Sequence, residues 1–439
     1  MKKENIVLAN FRHIDWVLIS AVFILLCAGL IVVHSATMRF DNPWMYIIKQ
    51  AFAVLIGALI FLIVLSIDYR FYGHYYRQLY YVSLFLLVMV LVFGKTLKGS
   101  RAWFDFGYFS FQPSEITKVL FILALGGYLD KNAREIHRLQ KLVVPLLMLF
   151  GNTALILLQP DFSSTIVYFP VFIVLLYCAG ARALHIAGIL LFSGVMFCFP
   201  LLKTVLFNLD KTSVIMKVLD YHWQTAVFLL IVGAIIFLCW WFLRQWKIYV
   251  PLFYFVCTFL IIIGGVGGSY FVNKSIKDYQ KKRLVVFINP RIDPLGAGYN
   301  IIQSQIAVGS GRFIGKGIFS GTQSQLGFVP AQHTDFIFSI LSEEMGLVFS
   351  LGVILLYLLF IWRVAGVSFA SSDRYGALVS FGILTMFSFH IIINVGMVIG
   401  LMPITGLPLP FISYGGSNVI SSMVALAVLL SVYIKRFIY

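Results

Sequence analysis

The stretch PAQHTDFIF at residues 330–338 marks the point where the long polar part of this chain meets an apolar helix. Polar and glycine-rich sequence leads up to it from Asn273, whereas most of the remaining chain is apolar. The first acid at the junction is Asp335, and SEEMG at residues 342–346 continues into the apolar run. An acid at the end of a membrane-crossing helix lies at the membrane–water boundary. Asp335 is therefore the first candidate for a functional residue.

The apolar composition is typical of a polytopic α-helical membrane protein. Hydrophobic residues make up 61% of the sequence, charged residues 11%, and the mean hydropathy is +0.95, whereas soluble domains average about 25% charged residues. Apolar runs of about 18 residues or more recur, and each is long enough to cross the bilayer as a helix. A membrane barrel would instead alternate apolar and polar residues in short segments. Residues 1–16 are too polar for a cleavable signal peptide, and the cysteines all fall in apolar runs, which argues against a disulfide framework or a metal cluster.

Hydropathy predicts twelve membrane spans, and the charges between them predict an orientation. The spans cover approximately residues 16–35, 48–67, 78–95, 115–129, 142–159, 162–179, 183–202, 224–243, 249–272, 336–362, 377–400 and 415–434. If both termini are cytoplasmic, every short cytoplasmic segment carries Lys or Arg, as the positive-inside rule expects. The net charge of +16 is thus explained by topology, and no nucleic-acid partner is expected.

Two segments on the outer side remain basic in this orientation. One is residues 95–115, and the other is the long loop. Their cations are Lys95, Lys98, Arg101, Lys274, Lys277, Lys281, Lys282, Arg283, Arg291, Arg312 and Lys316. Long loops cross the membrane regardless of charge, so the loop charges carry no topological information. Cations beside a membrane pocket also suit an anionic ligand with a lipid tail. Charge alone does not distinguish between a binding role and no role for these residues.

Six separated motifs resemble the SEDS family of membrane glycosyltransferases. They are QPSE (112–115), QPD (159–161), DYQKKR (278–283), GTQSQL (321–326), HTDF (333–336) and PLPFISYGGS (408–417). The form GTQSQL is similar to the RodA branch rather than to FtsW. The motifs occur in order and extend over nearly the whole chain, which makes the resemblance specific.

The resemblance implies a single transmembrane SEDS-type helix bundle over residues 1–439. The family usually has about ten helices, and here an inserted segment, 203–273, contributes two more. A large extracytoplasmic loop, 273–335, then precedes the tenth span. The inserted helices carry few charges, so they are expected to pack on the outside of the bundle.

The resemblance also implies an activity, a location and partners. The chain is expected to be a peptidoglycan glycosyltransferase that polymerises lipid II, an undecaprenyl-pyrophosphate disaccharide pentapeptide, during cell elongation and rod-shape maintenance. The expected location is the bacterial inner membrane. The expected partner is a class B penicillin-binding protein, the transpeptidase of the elongation machinery, because this chain has no soluble catalytic domain of its own.

The sequence allows two roles for Asp335, as a helix N-cap or as a catalytic base. An acid before a helix often serves as its N-cap, and either Thr334 or Asp335 suits that role. The family resemblance favours Asp335 as the catalytic base. His333 is then expected to orient Asp335 or to contact the substrate. Ser339 and Ser342 are expected to extend a polar strip inward along the same helical face, because the spacings from Asp335 are four and then three residues.

The cations expected near a leaving pyrophosphate are Arg101 and Lys118. Glu115 lies three residues before Lys118, so the two share a helical face and can form an ion pair that holds helices together. An unpaired ammonium inside an apolar run would be costly, whereas charge-assisted bonds to phosphate are strong. Trp103 is expected either to anchor the chain at the interface or to form a wall of the substrate groove.

Several other residues are weaker candidates. Arg312 and Lys316 lie in glycine-rich runs whose N–H groups could face phosphate. Asp161 is expected either to cap the next helix or to line the cavity. Glu343 and Glu344 are expected to be structural or coupling residues, because acids buried in a membrane need partners. The sequence requires no metal; a Mg or Mn ion held partly by pyrophosphate is compatible with it.

Two alternative functions fit the same composition. A lipid II flippase would use the same groove and cations but needs no base at Asp335, and transporters place their binding groups near the midplane, often between inverted repeats. A scaffold that only recruits the penicillin-binding protein would leave Asp335 and the outer cations without a role. Neither an internal repeat nor a midplane cluster is evident in the sequence.

Overall fold

The computed structural model describes residues 14–436 except 98–99, 108–109, 209–221, 276–277, 291–292 and 294–295. Helices dominate this part of the chain. They are α1 (Trp16–Thr37), α2 (Pro43–Ser66), α3 (Tyr69–His74), α4 (Tyr76–Phe93), α5 (Pro113–Lys131), α6 (Leu139–Leu158), α7 (Phe162–Cys178), α8 (Ala183–Asn208), α9 (His222–Gln245), α10 (Leu252–Ser275), α11 (Asp278–Ile288), α12 (Ala297–Ser310), α13 (Thr322–Leu326), α14 (Ile337–Phe369), α15 (Arg374–Val398) and α16 (Gly416–Lys435). Lys98, Lys277 and Arg291 lie outside the described residues, as does the stretch 209–221 of the predicted insert.

Each of the twelve predicted spans coincides with a helix. Within the described residues, nine helices are long and apolar enough to cross a membrane, and they belong to α1, α2, α4, α6, α9, α10, α14, α15 and α16. Helix α7 and the first part of α8 are shorter apolar helices. Helix α5 has 19 residues and carries the charges of Glu115 and Lys118. The chain is thus a multi-pass α-helical membrane protein, as predicted.

The described chain forms two compact units. The first comprises residues 1–181 and 300–439, and the second comprises residues 182–299. Among the membrane-crossing helices that the structure describes in the first unit, α16 is the most buried, with 89% of its apolar stretch covered by the rest of the protein. Helix α16 packs on α2, α14 packs on α15 and α1, α15 packs on α7, and α4 packs on α5.

A glycine permits the close approach of α1 to the segment before α16. A Cβ added at Gly29 would lie 2.8 Å from the Cα of Ile412 and 2.8 Å from the carbonyl oxygen of Phe411. Both distances are shorter than a carbon atom tolerates, so residue 29 must lack a side chain. In the second unit, α8 packs on α10 and α11, and α9 packs on α10.

Three features of the fold were not predicted from the sequence. A small antiparallel sheet of β1 (Lys95–Leu97), β2 (Ser100–Asp105) and β3 (Ser110–Phe111) follows α4, with strand order β1-β2-β3. Three helices, α11, α12 and α13, lie within the stretch 273–335 that was predicted as a loop. Helix α14 is interrupted at Gly346, whose φ of 73° and ψ of −173° are not helical.

Candidate active site

Asp335 lies in a turn that leads into α14. The turn begins at Ala331, which has a φ of +49°, and Asp335 is half-buried at its end. The N-cap of α14 is Phe336, which makes no side-chain capping bond, and the Thr334 hydroxyl donates instead to the Ala331 carbonyl at 3.2 Å. Capping by Thr334 is therefore not what the structure shows. We call residues 331–336 the Asp335 turn.

Three successive carbonyls of the Asp335 turn each accept a hydrogen bond from another part of the bundle. The backbone N–H of Tyr414 donates to the His333 carbonyl at 2.9 Å. The Ser413 hydroxyl donates to the Thr334 carbonyl at 2.7 Å. The side-chain amide of Asn394 donates to the Asp335 carbonyl at 2.9 Å. The backbone of the turn is thus held from outside at consecutive peptide units.

His333 lies within an aromatic cluster. Its ring centroid is 5.5 Å from that of Phe40, 5.8 Å from that of Tyr46 and 5.7 Å from that of Tyr414, all in edge-to-face arrangement. These separations fall in the favourable range for aromatic pairs. The cluster packs the 40–46 segment and the 413–414 segment around the Asp335 turn.

Further hydrogen bonds join the 408–417 motif, which holds the Asp335 turn through Ser413 and Tyr414, to two more motifs. The Gln112 backbone N–H donates to the Ser417 hydroxyl at 2.8 Å. The Ser417 hydroxyl in turn donates to the Ser110 carbonyl at 3.3 Å. The Gln112 side-chain amide donates to Asp161 at 2.7 Å. Four of the motifs therefore meet at one place: 112–115, 159–161, 333–336 and 408–417.

Asp161 is the N-cap of α7, one of its two predicted roles. Its carboxylate accepts the backbone N–H of Ser164 at 3.1 Å and the hydroxyls of Ser164 at 2.7 Å and Ser114 at 3.1 Å. A carboxylate at a helix N-terminus satisfies N–H groups that have no partner within the helix. Asp161 thereby ties α7 to the start of α5.

Glu115 and Lys118 form the ion pair that their spacing predicts. The ammonium of Lys118 lies 2.8 Å from the Glu115 carboxylate, and the two side chains are 3% and 6% exposed. The same ammonium lies 3.2 Å from Nε2 of His390, whose Nδ1 is 3.3 Å from the Pro408 carbonyl. Because an ammonium only donates and a carbonyl only accepts, the ring is assigned Nδ1–H toward Pro408 with Nε2 accepting from Lys118.

Arg101 and Trp103 lie on strand β2, near the end of α4. The Arg101 guanidinium donates to the carbonyls of Gly94 at 2.9 Å and Val92 at 2.8 Å. Trp103 is half-buried and pairs with Lys95 across the strands. Arg101 therefore holds the sheet against the last turn of α4.

The exposed end of the same sheet carries an ion pair between Lys95 and Asp105. Their charged atoms are 2.9 Å apart. The hydrogen bond from Lys95 is the main reason that the pKa of Asp105 lies below its usual range, and the Gly107 N–H adds to the effect. Asp105 is therefore ionised at neutral pH.

Arg312 and Lys316 belong to a glycine-rich segment that fills the break in α14. We call residues 312–317 the strap. The N–H groups of Lys316 and Gly317 donate to the carbonyls of Glu343 at 3.1 Å and Glu344 at 3.0 Å. On the other side of the break, Leu347 N–H donates to the Arg312 carbonyl at 2.8 Å. The strap thus pairs backbone groups that the interrupted helix leaves open, which a membrane environment requires.

Two backbone N–H groups of the strap, those of Lys316 and Gly317, are consequently engaged with α14. The glycine-rich sequence suggests that such groups could face phosphate, whereas in this structure these two bind helix carbonyls. The Lys316 ammonium also lies 2.7 Å from the Glu343 carboxylate, which is fully buried. Arg312 is exposed.

Glu343 and Glu344 fasten the strap and α13 to α14. Glu343 accepts from the backbone N–H groups of Gln323 at 2.9 Å and Ser324 at 3.2 Å. Glu344 accepts from the hydroxyl of Ser35 on α1 and from the backbone N–H of Phe319 at 3.3 Å. These contacts are the partners that buried membrane acids require.

Ser339 and Ser342 are buried on α14 but do not continue a strip from Asp335. The helix begins at Ile337, so Asp335 lies before it. The Ser339 hydroxyl donates to the Phe336 carbonyl at 2.6 Å, and the Ser342 hydroxyl donates to the Phe338 carbonyl at 2.8 Å. Both hydroxyls therefore satisfy local backbone acceptors.

Two cavities adjoin these residues within the first unit. An apolar groove of about 350 Å³ lies beside the strap and the break in α14. Its lining includes Arg312, Phe313, Phe338, Leu351, Val395 and Ile399. A much smaller cavity of about 10 Å³ lies among Glu115, Lys118, His390 and Asn418, which is room for about one water molecule. Among the residues that the structure describes, no group of three His, Cys, Asp or Glu side chains is placed to hold a metal ion.

His390, Asn394 and Ser413 were not predicted as site residues. Their only signal in the sequence is polarity at a place where polar groups are rare: His390 and Asn394 lie one helical turn apart in the apolar helix α15. Apart from the Lys118 ammonium beside His390, the partners described above are backbone carbonyls, which carry no sequence signature. Ser413 lies in the 408–417 motif, whose sequence gives no sign of what its serine contacts.

Comparison with known proteins supports the family that the motifs indicated. The curated relatives include the peptidoglycan glycosyltransferase RodA of Treponema pallidum, 34% identical over 96% of this chain and 98% of the relative. They also include the peptidoglycan glycosyltransferase MrdB of Escherichia coli K12, 30% identical over 97% of this chain and 94% of the relative.

Solved structures show the same fold. A chain of a peptidoglycan synthase complex, described as coordinating polymerization and crosslinking, matches with a TM-score of 0.67 and 26% identity over 97% of this chain and 98% of that chain. The rod shape determining protein RodA of Thermus thermophilus matches with a TM-score of 0.60 and 23% identity over 97% of this chain and 98% of that chain. The family model of the FtsW, RodA and SpoVE cell cycle proteins matches residues 15–222 and 218–437. The chain therefore belongs to this family and groups with its RodA branch.

Proposed function

We propose that this chain is a peptidoglycan glycosyltransferase that polymerises lipid II into glycan strands during cell elongation, with Asp335 as its general base. The observation that carries the proposal is the Asp335 turn itself. A half-buried carboxylate lies where four separated motifs meet, and the carbonyls of His333, Thr334 and Asp335 are each held by a donor. Positioning of this kind is what base catalysis needs.

The reaction is a displacement at the anomeric carbon of one lipid II molecule. A sugar hydroxyl of the acceptor forms the new C–O bond while the bond to the undecaprenyl pyrophosphate breaks. The hydroxyl proton passes to the Asp335 carboxylate, and the electron pair of the broken bond leaves with the pyrophosphate. The α-linked donor yields a β-linked product, so the displacement inverts the configuration.

Arg101 and Lys118 are the cations proposed to face the leaving pyrophosphate. Both have protein partners in the structure: Arg101 binds two carbonyls and Lys118 binds Glu115. For Arg101, binding of pyrophosphate would exchange two carbonyl contacts for stronger, charge-assisted bonds. Lys118 already makes a charge-assisted bond to Glu115, and it would share its ammonium between that carboxylate and the pyrophosphate. Trp103 and His333 are proposed to line the substrate path on either side.

The proposed setting is the bacterial inner membrane, with both termini in the cytoplasm and Asp335 at the outer face. This orientation follows from the basic residues between the spans. A class B penicillin-binding protein of the elongation machinery is the proposed partner. The matching synthase complex, which couples polymerization with crosslinking, supports this pairing.

Polymerisation in detergent separates this function from transport. Purified protein and partner, mixed with purified lipid II in micelles, are expected to produce glycan chains that resolve on a gel. Micelles have no two leaflets, so a flippase would give no product there. Absence of chains in detergent together with movement of lipid II across vesicle bilayers would overturn the proposal in favour of the transporter.

A further inference from the structure

We propose that Asn394 is a positioning residue for Asp335, acting through the main chain of the Asp335 turn. This inference rests on the proposed function, because it assumes that Asp335 is the base. Asn394 lies in α15 and is fully buried. Four observations support this role. They are the two hydrogen bonds that Asn394 donates, the orientation of its amide, the contacts of His390 one turn away, and the two non-helical segments that Asn394 joins.

The amide of Asn394 joins two segments that have no helix of their own. Its Nδ2 lies 2.9 Å from the Asp335 carbonyl and 2.7 Å from the Leu407 carbonyl. An amide nitrogen carries two hydrogens, so both bonds form at once. The Asp335 turn before α14 and the proline-rich segment before α16 are thereby held to α15 by one side chain.

The orientation of this amide is determined by its surroundings. A flipped amide would place Oδ1 against two carbonyl oxygens, which repel it, so the nitrogen must face Asp335 and Leu407. Oδ1 is itself buried and accepts no hydrogen bond in the described structure. A buried polar atom without a partner is unfavourable, so Asn394 contributes to the site through its donor pair and not through its acceptor.

His390 extends the same arrangement toward the buried ion pair. It lies one turn before Asn394 on α15, and its ring contacts Lys118 at 3.2 Å and the Pro408 carbonyl at 3.3 Å. Residues four apart share a helical face. One face of α15 therefore contacts and positions Lys118, the 407–408 segment and the main chain of Asp335.

The Asn394→Leu variant removes both donors while keeping the side chain close to its original size. We expect kcat for lipid II polymerisation to fall about 100-fold, because a small misplacement of a catalytic group has an effect of this order. KM for lipid II and binding of the partner are expected to stay within about 2-fold, a split that a general loss of structure would not give.

A double-mutant cycle with Asp335→Glu tests whether Asn394 acts through Asp335. In Asp335→Glu the carboxylate is already displaced, so adding Asn394→Leu is expected to reduce kcat much less than it does in the wild type. The matched control is Ser380→Ala, on the same helix and equally buried, whose hydroxyl makes no hydrogen bond in the described structure. It is expected to leave kcat unchanged.

The possible outcomes separate this proposal from the proposed function. If folded Asn394→Leu retains wild-type kcat, or loses the same factor in the wild-type and Asp335→Glu backgrounds, Asn394 does not position Asp335. If Asp335→Asn itself polymerises normally, the base assignment fails and the Asn394 proposal fails with it. If Asn394→Leu does not fold, Asn394→Ser, which keeps one donor, takes its place under the same criteria with a smaller expected loss.

Discussion

At the scale of single residues, the site is built mainly from bonds between side chains and distant backbone. Asn394 reaches Asp335 across 59 positions of sequence, and Ser413 reaches Thr334 across 79. Such partners cannot be read from sequence, because any carbonyl can serve as the acceptor. The Glu115–Lys118 pair and the Asp161 cap were predictable, since both depend on local helical spacing.

The buried ion pair between Glu115 and Lys118 leads to a prediction about stability. Glu115→Gln or Lys118→Met alone leaves one charge unpaired inside the bundle, which costs about 3–5 kcal/mol. The double variant is expected to be less destabilised than the sum of the two single variants, because no unpaired charge remains. Thermal unfolding of the purified proteins measures this.

The exposed Lys95–Asp105 pair provides the control for the ion-pair experiment. Lys95 is 65% exposed, and exposed pairs contribute little because water and salt screen them. Lys95→Met is therefore expected to leave the unfolding temperature unchanged. Equal destabilisation by Lys95→Met and Lys118→Met would contradict the claim that burial of the Glu115–Lys118 pair makes loss of one partner costly.

At the scale of elements, the strap and the break in α14 depend on each other. Gly346 interrupts the helix, and the strap supplies the backbone partners that the interruption requires. A hydropathy profile shows only one continuous apolar run here. The break was therefore not predictable, whereas the start of α14 was placed correctly to within one residue.

Gly315 provides the test of the strap. A Cβ at this position would lie 2.1 Å from the Glu344 carbonyl oxygen, and the φ of +88° is unfavourable for other residues. Gly315→Ala is expected to lower the free energy of unfolding by roughly 1–3 kcal/mol from backbone strain alone, with the clash adding to it. Thermal unfolding is again the measurement.

Gly352→Ala is the matched control, since Gly352 lies in α14, the helix that the strap contacts, and nothing lies within 4 Å of an added Cβ. It should leave stability unchanged or raise it by up to about 1 kcal/mol. If Gly315→Ala and Gly352→Ala behave alike, the close contact between strap and helix is not present in the protein.

The sheet after α4 has an expected pH dependence. The pKa of Asp105 is lowered in the folded protein, chiefly by the hydrogen bond from Lys95. Its contribution is therefore complete above the ordinary carboxyl pKa of 3.8 and is lost as pH falls through the lower folded value. The hydrogen-exchange protection factors of residues 95–97 and 100–105, which are corrected for the intrinsic pH dependence of exchange, should fall on acidification below this range. Asp105→Asn should abolish that acid dependence, and a persistent dependence in the variant would assign it to another group.

At the scale of the whole molecule, the membrane explains why the sequence predicts so much of the fold. Every span must be long, apolar and helical, since unpaired backbone is too costly in lipid. All twelve predicted spans therefore coincide with helices. The helices α11–α13 were not predicted because they are short and lie within a polar stretch, where helices need not be long or apolar. The insert over 203–273 remains a prediction.

The proposed orientation, with both termini in the cytoplasm, predicts which residues are accessible from outside the cell. In a variant without its native cysteines, Phe106→Cys next to the sheet should react with a membrane-impermeant maleimide in intact cells. Gln140→Cys, at the start of α6, should react only after permeabilisation. Both positions are exposed in the structure, so access depends on the membrane alone. The reverse labelling pattern would invert the topology.

The most direct test of the central claim is the rate of glycan polymerisation by Asp335→Asn with the penicillin-binding partner present. The substitution keeps the size of the side chain and removes the base. The account predicts that wild type and the control Asp105→Asn form chains, whereas folded, partner-bound Asp335→Asn loses at least about 100-fold in rate. Chain formation by Asp335→Asn at the wild-type rate would contradict the assignment of Asp335 as the base.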